Sequence, residues 1–361
     1  MVVAERARSR PALLRWAVAT YLTIRVSALG FTLVLPLVGA ASAAAGRDAT
    51  RVAAEVDIPM GALMLVALSF HVFAYVLNDV VDLWLDRSEP LRADSPLVQG
   101  AIGRAGLLLL AWAQVPVAFG LALLRGAHGA AMAMLLAAFA AMAVYDLYGK
   151  RCRWPLLTDA VQSVGWCALV GVGAWWHGPV WPTFTGWIVA YVFCCVMLVQ
   201  GVHGGLRDLA NDLRGGARTT AVWLEARPGA GSGIEVSGPV AAYAVLLQAG
   251  LWITSLAALH SALHDAQSAA SAGLVMAALT AATGALVLAY RRRADRSRLI
   301  GAGAWNIVCT LLVLPTLVLP VLSFAGACTL LAALLLPIAA MLVYNGSHWR
   351  LAQPPPARGA R

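Results

Sequence analysis

The sequence is short of charge, of acid, of lysine and of organised cysteine. Asp, Glu, Lys and Arg make up 12% of its 361 residues, about half the share a soluble globular chain carries. With 61% hydrophobic residues and a mean hydropathy of +0.77, such a chain cannot cover a water-facing surface of its own length. The shortage excludes a soluble enzyme and a disordered chain, and argues against a nucleic-acid partner. The six cysteines show no C-x-x-C spacing, and all but Cys152 lie in apolar runs. They read as packing residues, not as a disulfide framework or a metal centre. The first apolar stretch is too long for the core of a cleavable leader, so no signal peptide is expected.

What the sequence has is apolar length. A bilayer core takes about 20 apolar residues per helix, and ten such stretches run from Trp16–Leu37 to Ala325–Tyr344. The last two are ambiguous, because Pro315 and Pro320 leave open one span followed by a re-entrant piece. The expected fold is therefore an all-α polytopic membrane protein of nine to ten transmembrane helices. Its charge is lopsided, with 26 basic residues against 17 acidic ones and a net charge of +9. If the N-terminus, alternate loops and tail share one side, that side holds 22 of the 26 basic residues. The excess of Arg and Lys marks it as cytoplasmic. The expected layout is a basic cytoplasmic N-terminus (1–15), a transmembrane domain (16–345) and a disordered cytoplasmic tail (346–361).

Because acids are scarce, their clustering is informative. Five of the 17 fall into two groups at corresponding span ends. In the first, Asp79, Asp82 and Asp86 are spaced i, i+3, i+7, on one helical face, with Asn78 one turn before Asp82. In the second, Asp208 and Asp212 are spaced i, i+4 beside Arg207. Like charges so spaced destabilise a helix unless something positive sits between them. Carboxylate clusters suit Mg²⁺, which keeps waters and bridges protein oxygens to a substrate phosphate.

Metal-bridged phosphate beside an apolar cavity points to a lipid-like diphosphate. Its departure from an allylic carbon would leave a carbocation. Basic side chains must meet the remaining phosphate charge, and the candidates are Lys150, Arg151, Arg207, Arg214 and Arg218. Lys150 is the one lysine in a chain that otherwise uses arginine. Arg25, read as two turns into the first span, either snorkels to the surface or reaches toward the phosphate. Trp84, Tyr145, Tyr148 and Trp166 are the aromatics close enough in sequence to face a cation.

At these residues the chain resembles the UbiA superfamily of intramembrane prenyltransferases. Asn78-Asp79-x-x-Asp82-x-x-x-Asp86 is similar to the family's first aspartate motif, and Arg207-Asp208-x-x-x-Asp212-x-x-x-Gly216-x-x-Thr219 to its second. Tyr145, with Lys150 five residues on and Asp159 after it, resembles the family's Tyr–Lys loop, and Arg25 its first-helix arginine. The resemblance implies a helical bundle around a central cavity open laterally to lipid. Asp79, Asp82, Asp86, Asp208 and Asp212 would then be catalytic ligands of Mg²⁺, with two ions expected. Asn78, Arg25, Tyr145, Lys150, Arg207, Arg214 and Arg218 would bind the diphosphate. Three departures concern acceptor and phosphate recognition: His203-Gly204-Gly205 before the second motif, Ala217 in place of a lysine, and Arg92-Ala-Asp94-Ser-Pro96 after the first.

The implied activity is Mg²⁺-dependent transfer of a prenyl group from a prenyl diphosphate to an aromatic or lipid acceptor, an alkyl transfer in specialised or quinone metabolism. The alternative is a UbiA-type terpene cyclase, a carbon–oxygen lyase that ionises the same diphosphate without an acceptor. A membrane transporter is the third reading. The acids gather at span ends, whereas carriers bind their cargo near the midplane.

Overall fold

In an apolar solvent a backbone must satisfy its own N–H and C=O groups, which leaves an apolar chain of this kind little choice but helix. A computed structural model describes residues 23–45, 60–89, 92–93, 95–127, 129–229, 233–262, 266–290 and 294–352. Ten long helices follow in order: α1 (Val26–Ala45), α2 (Met60–Val81), α3 (Arg104–Leu124), α4 (Ala130–Tyr148) and α5 (Pro155–His177). Then come α6 (Thr183–Gly215), α7 (Gly238–Ala262), α8 (Ala266–Ala289), α9 (Arg296–Val318) and α10 (Phe324–Ala352). Among the described residues, nine helices are long and apolar enough to cross a membrane, and α10 opens with a further apolar stretch, Phe324–Ala340.

The structure bears on three expectations. The first span does not enclose Arg25: α1 starts at Val26, and Arg25 occupies a turn with φ 48°. A non-glycine residue at positive φ cannot continue a right-handed helix. Residues 1–22, including the basic N-terminus, lie outside the described set. Pro315 sits inside α9 and Pro320 in a 3₁₀ turn (Leu319–Val321), so the last two stretches are separate helices. Helix α10 itself continues to Ala352, past the expected boundary at 345. The tail from 353 lies outside the described residues.

Helix α1 is the packing hub, set against α5, α10, α2 and α9. It meets α5 with almost no spacing. A Cβ on Gly39 would stand 2.0 Å from the Val170 carbonyl oxygen, and one on Gly173 would stand 1.8 Å from that of Pro36. Paired small residues of this kind let membrane helices approach backbone to backbone. Beside them, Phe31, Phe70, Phe139 and Trp166 form a ring cluster with centroids 5.2–5.6 Å apart along Phe31–Trp166, Phe70–Trp166 and Phe70–Phe139.

Helices α2, α4, α6 and α8 finish at one end of the bundle, where Asn211 meets Leu85, Arg218 meets Lys150 and Tyr290 meets His203. A small antiparallel sheet marks that end. Arg227–Pro228 pairs with Gly233–Glu235, which pairs with Ala294–Asp295, tying the α6–α7 connection to the α8–α9 connection.

Candidate functional site

The two acidic groups come together at this end. Helix α2 stops at Val81, and the helical hydrogen bonding resumes from Asp82 into a short turn, Leu83–Asp86. Asp82 N–H donates to Asn78 C=O (2.8 Å) and Asp86 N–H to Asp82 C=O (2.9 Å). The helical phase therefore survives the break, and Asp79, Asp82 and Asp86 are all buried. Across from them, α6 passes through a π-helical segment (Leu198–Gly204) before its last α-helical stretch, Gly205–Gly215, which carries Asp208 and Asp212. It closes at Gly216 (φ 71°), with Ala217 N–H reaching Asp212 C=O (2.8 Å) and Gly216 N–H reaching Leu213 C=O (3.3 Å). This is the left-handed helix end that glycine makes cheaply.

Asn211 locks the two motifs to each other. Its amide donates to Leu85 C=O (3.1 Å), and its side-chain oxygen accepts from Ser88 Oγ (2.8 Å). The α4–α5 connection is fastened to the same place, since Arg218 N–H donates to Lys150 C=O (2.8 Å). Thr220 Oγ1 donates to Asp159 Oδ2 (2.5 Å), which joins α5 to the residues after the second motif.

Each carboxylate of the first motif has its own cation. Arg25 pairs with Asp79 and also donates to Asn78 Oδ1 (3.0 Å), while its guanidinium lies 5.2 Å from the Tyr75 ring centroid. Lys150 Nζ is 2.9 Å from Asp82 Oδ2. Arg92 Nε is 3.9 Å from Asp86 Oδ1, and its NH1 is 4.0 Å from Asp79 Oδ1. In the second motif Arg207 grips Asp208 through two hydrogen bonds of 2.8 and 2.7 Å. Asp212, 2% exposed, has a buried Oδ1 with no hydrogen-bond partner.

Arg25 is held in its unusual turn by His71. One ring nitrogen of His71 meets Ile24 C=O at 2.7 Å, and the other meets Thr32 Oγ1 at 2.8 Å. With the Thr32 hydroxyl donating to Nδ1, the Nε2 proton is left for the carbonyl. A left-handed non-glycine residue costs about 1–2 kcal/mol. The outlier stands where the side chain it carries reaches the acids, as strain kept for a site does.

Charge and burial set the ionisation at the mouth. Burial chiefly pushes the Asp86 carboxyl up to about 6, with Arg92 opposing and Asp79 adding to it. The Arg92 pKa is drawn down from its ordinary value first by the nearby Arg25 charge and then by burial. Burial pulls Lys150 down, but Asp82 and Asp212 outweigh it and raise its pKa overall.

One cavity collects most of the expected site. Arg25, Asn78, Asp82 and Asp86 line it on one side. Tyr145, Lys150, Arg207, Asp208 and Asp212 line the other. Asp79 stands behind that wall, paired with Arg25. Arg214 and Arg218 do not belong to it. Both side chains are exposed, because Arg214 falls about 200° round the helix from Asp212 and Arg218 follows the Gly216 turn. Of the four aromatics, Tyr145 and Trp166 line the cavity, whereas Trp84 and Tyr148 are 41% and 61% exposed. Sequence reasoning missed Arg92, Asp146 and Asn211. Asp146 carried a usable signal, an acid inside an apolar span next to Tyr145. Arg92 was noted in the departure after the first motif, with nothing in the sequence to show that it pairs with the acids.

The donor set suits a hard dication. Among the described residues no three His, Cys, Asp or Glu side chains converge into a ready cage. Mg²⁺ does not ask for one, since it binds through one or two carboxylates, substrate phosphate and water. The free Asp212 Oδ1 and the buried Asp82 and Asp86 across the cavity are such carboxylates.

Comparison with known proteins gives a consistent result. The model of the UbiA prenyltransferase family matches residues 32–297, more than half of the chain. The fold is similar to the apo structure of a UbiA homolog from Aeropyrum pernix K1, at 16% identity and TM-score 0.57, covering 78% of this chain and 94% of that one. A UbiA homolog from Archaeoglobus fulgidus bound to GPP and Mg²⁺ aligns at 16% identity and TM-score 0.55, covering 81% and 98%. A digeranylgeranylglyceryl phosphate synthase aligns at 13% identity and TM-score 0.54, covering 84% and 97%. No curated protein matches the chain.

Proposed function

From the premise that this chain belongs to the UbiA prenyltransferase family and is a multi-pass membrane protein, we propose that it ionises an allylic prenyl diphosphate with Mg²⁺ and passes the prenyl group to an acceptor. The observation that carries this reading is the set of matched ion pairs at the cavity mouth. Asp79, Asp82 and Asp86 are each neutralised by a different base, Arg25, Lys150 and Arg92. Paired this way, the buried acids are tolerated when no ligand is bound. The pairs also set out both halves of a diphosphate site, oxygen ligands for metal and cations for phosphate.

When Mg²⁺ is bound between the motifs, it supplies the positive charge that makes diphosphate a good leaving group. Asp82 and Asp86 on one side and Asp208 and Asp212 on the other would hold the two ions, one per motif. Arg25, Lys150, Arg92 and Arg207 then turn from carboxylate to phosphate oxygens. Asn78, bonded to Arg25 and Asp82, keeps those two in register. Trp166, from the ring cluster, and Tyr145 line the cavity below the mouth and place aromatic rings beside the cation. The solved relative bound to GPP and Mg²⁺ supports the same ligand pair here. The excess of basic residues at this end supports a cytoplasmic orientation for the site.

Terpene cyclisation shares the ionisation step, and the aromatic floor is the feature that favours it. The test is to incubate purified protein with Mg²⁺ and prenyl diphosphates from geranyl to geranylfarnesyl, with and without aromatic and lipid acceptors. Prenylated acceptor with equimolar diphosphate is expected. Cyclic terpene formed without acceptor would assign the cyclase instead. Absence of Mg²⁺-dependent diphosphate release from every donor would contradict the proposal.

A further inference from the structure

The cavity is layered, and its middle layer is chemically odd. Adjacent turns of a helix are separated by about 5.4 Å, so three helices can be followed inward turn by turn. On α4, Met142 and then Asp146 line the cavity one turn apart, with Tyr145 beside Asp146 and Lys150 just beyond the helix end. On α2 the lining residues are Ala74 and then Asn78, with Tyr75 beside Ala74 and Asp82 just beyond the helix end. On α5 they are Asp159, then Gln162, then Trp166. The outer layer (Asp82, Lys150, Asp159) is charged and mostly paired. In the deepest layer Ala74, Met142 and Trp166 are apolar apart from one indole N–H, and Tyr75 adds a phenol beside them. Between them lie Asn78, Asp146 and Gln162.

In that middle layer buried polar atoms go unpaired. Asp146 and Gln162 are 5% and 4% exposed, yet Asp146 Oδ2 and Gln162 Oε1 have no hydrogen-bond partner. The N–H of Trp166, 1% exposed and one turn deeper, has none either. The other Asp146 oxygen accepts from Asn78 Nδ2 (3.3 Å), the same amide nitrogen that donates to Asp82 Oδ2 (3.2 Å). Leaving a buried polar atom unsatisfied costs about 1–3 kcal/mol, and a cavity wall that met only a hydrocarbon chain would have no reason to carry three.

A diphosphate held in the outer layer puts its allylic carbon one turn deeper, beside these atoms. We propose that the middle layer is the acceptor subsite, and that it takes a hydroxyl-bearing acceptor which donates to Asp146 and Gln162. This deepens the prenyl-transfer reading and rests on it. In the step, the bond from the allylic carbon to the diphosphate oxygen breaks and its electron pair leaves with diphosphate. A lone pair of the acceptor oxygen forms the new C–O bond, and the hydroxyl proton passes to Asp146 Oδ2. Asn78 holds the other Asp146 oxygen in place, and Gln162 orients the incoming hydroxyl. An O–H group could come from a phenol, a glycerol lipid or water, and all three present the same donor.

The experiment measures oxygen-captured product per diphosphate released. Full-length protein in detergent with Mg²⁺ receives geranyl or geranylgeranyl diphosphate in three arms: a simple phenol, a 1-O-alkylglycerol, and heavy-oxygen water alone. The wild type is expected to give an ether or a labelled alcohol in at least one arm. Asp146→Asn should lower the captured fraction by about 100-fold, the scale of a lost general base, with elimination products in its place. Gln162→Leu should lower it by about 5-fold, the scale of one lost hydrogen bond. It decides the matter if Asp146→Asn does not fold. Loss of packing alone lowers release and capture together and leaves their ratio unchanged. An unchanged ratio in the folded variants overturns the proposal, as does a wild type that releases diphosphate yet makes only hydrocarbons. A wild type that releases none from either donor overturns the prenyl-transfer reading beneath it.

Discussion

Asp86 is the acid whose protonation bears most directly on metal binding. Burial raises its pKa to about 6, so above that pH it is a carboxylate and below it a neutral acid. Mg²⁺ must then displace a proton, and its affinity should fall up to tenfold per pH unit below about 6. Mg²⁺ titrations of turnover across pH 5 to 8 should show that slope in the wild type and lose it in Asp86→Asn. Asp82→Asn and Asp212→Asn should each cut diphosphate release by at least about 100-fold, the cost of losing one preorganised electrostatic group. Arg218→Ala should stay within about twofold, because its side chain is exposed and away from the cavity. At this scale the acids were legible in the sequence because they are rare and evenly spaced. Their partners were less so. Arg92 folds back to Asp79 and Asp86 from the connection that follows the motif, and no spacing rule encodes that contact.

Helices were easy to foresee and their ends were not. Hydropathy finds an apolar run but cannot see that Arg25 adopts a positive φ, which moves the start of α1 to Val26. That turn depends on the tertiary bond from His71 to Ile24 C=O. The outward direction of Arg214 was available from helical phase, since Asp208 and Asp212 share a face that excludes it. The π-helical segment in α6 had no signature beyond Gly201, Gly204 and Gly205 close together. The α1–α5 contact offers a sharp test of element packing. Gly39→Ala would drive a Cβ to 2.0 Å from Val170 C=O. Backbone cannot yield there as a side chain can, so the helices must separate, at a cost of about 1–3 kcal/mol. Thermal unfolding in detergent should show a Tm several degrees lower for Gly39→Ala, whereas Gly61→Ala, with open space around it, should match the wild type.

The molecule as a whole joins a polar end to an apolar interior. The strands joining the α6–α7 and α8–α9 connections put those loops on one side, the side with the basic excess and the acid motifs. A variant with Cys152 as its one cysteine should react with an impermeant maleimide only from the cytoplasmic side of sealed vesicles. Labelling from the opposite side would invert the topology. The bundle architecture was readable from composition, while the layering of the cavity needed three helices placed side by side. The central claim is that both acidic motifs share one Mg²⁺–diphosphate ligand, with Arg25, Lys150 and Arg92 moving from acid to phosphate. Calorimetric titration with a non-ionising thiolo analogue of geranyl diphosphate, with and without Mg²⁺, tests it most directly. At least tenfold mutual tightening is predicted, equivalent to about 1.4 kcal/mol of coupling, and it should vanish in both Asp82→Asn and Asp212→Asn. Equal analogue affinity with and without Mg²⁺, or coupling that survives in either variant, would contradict the account.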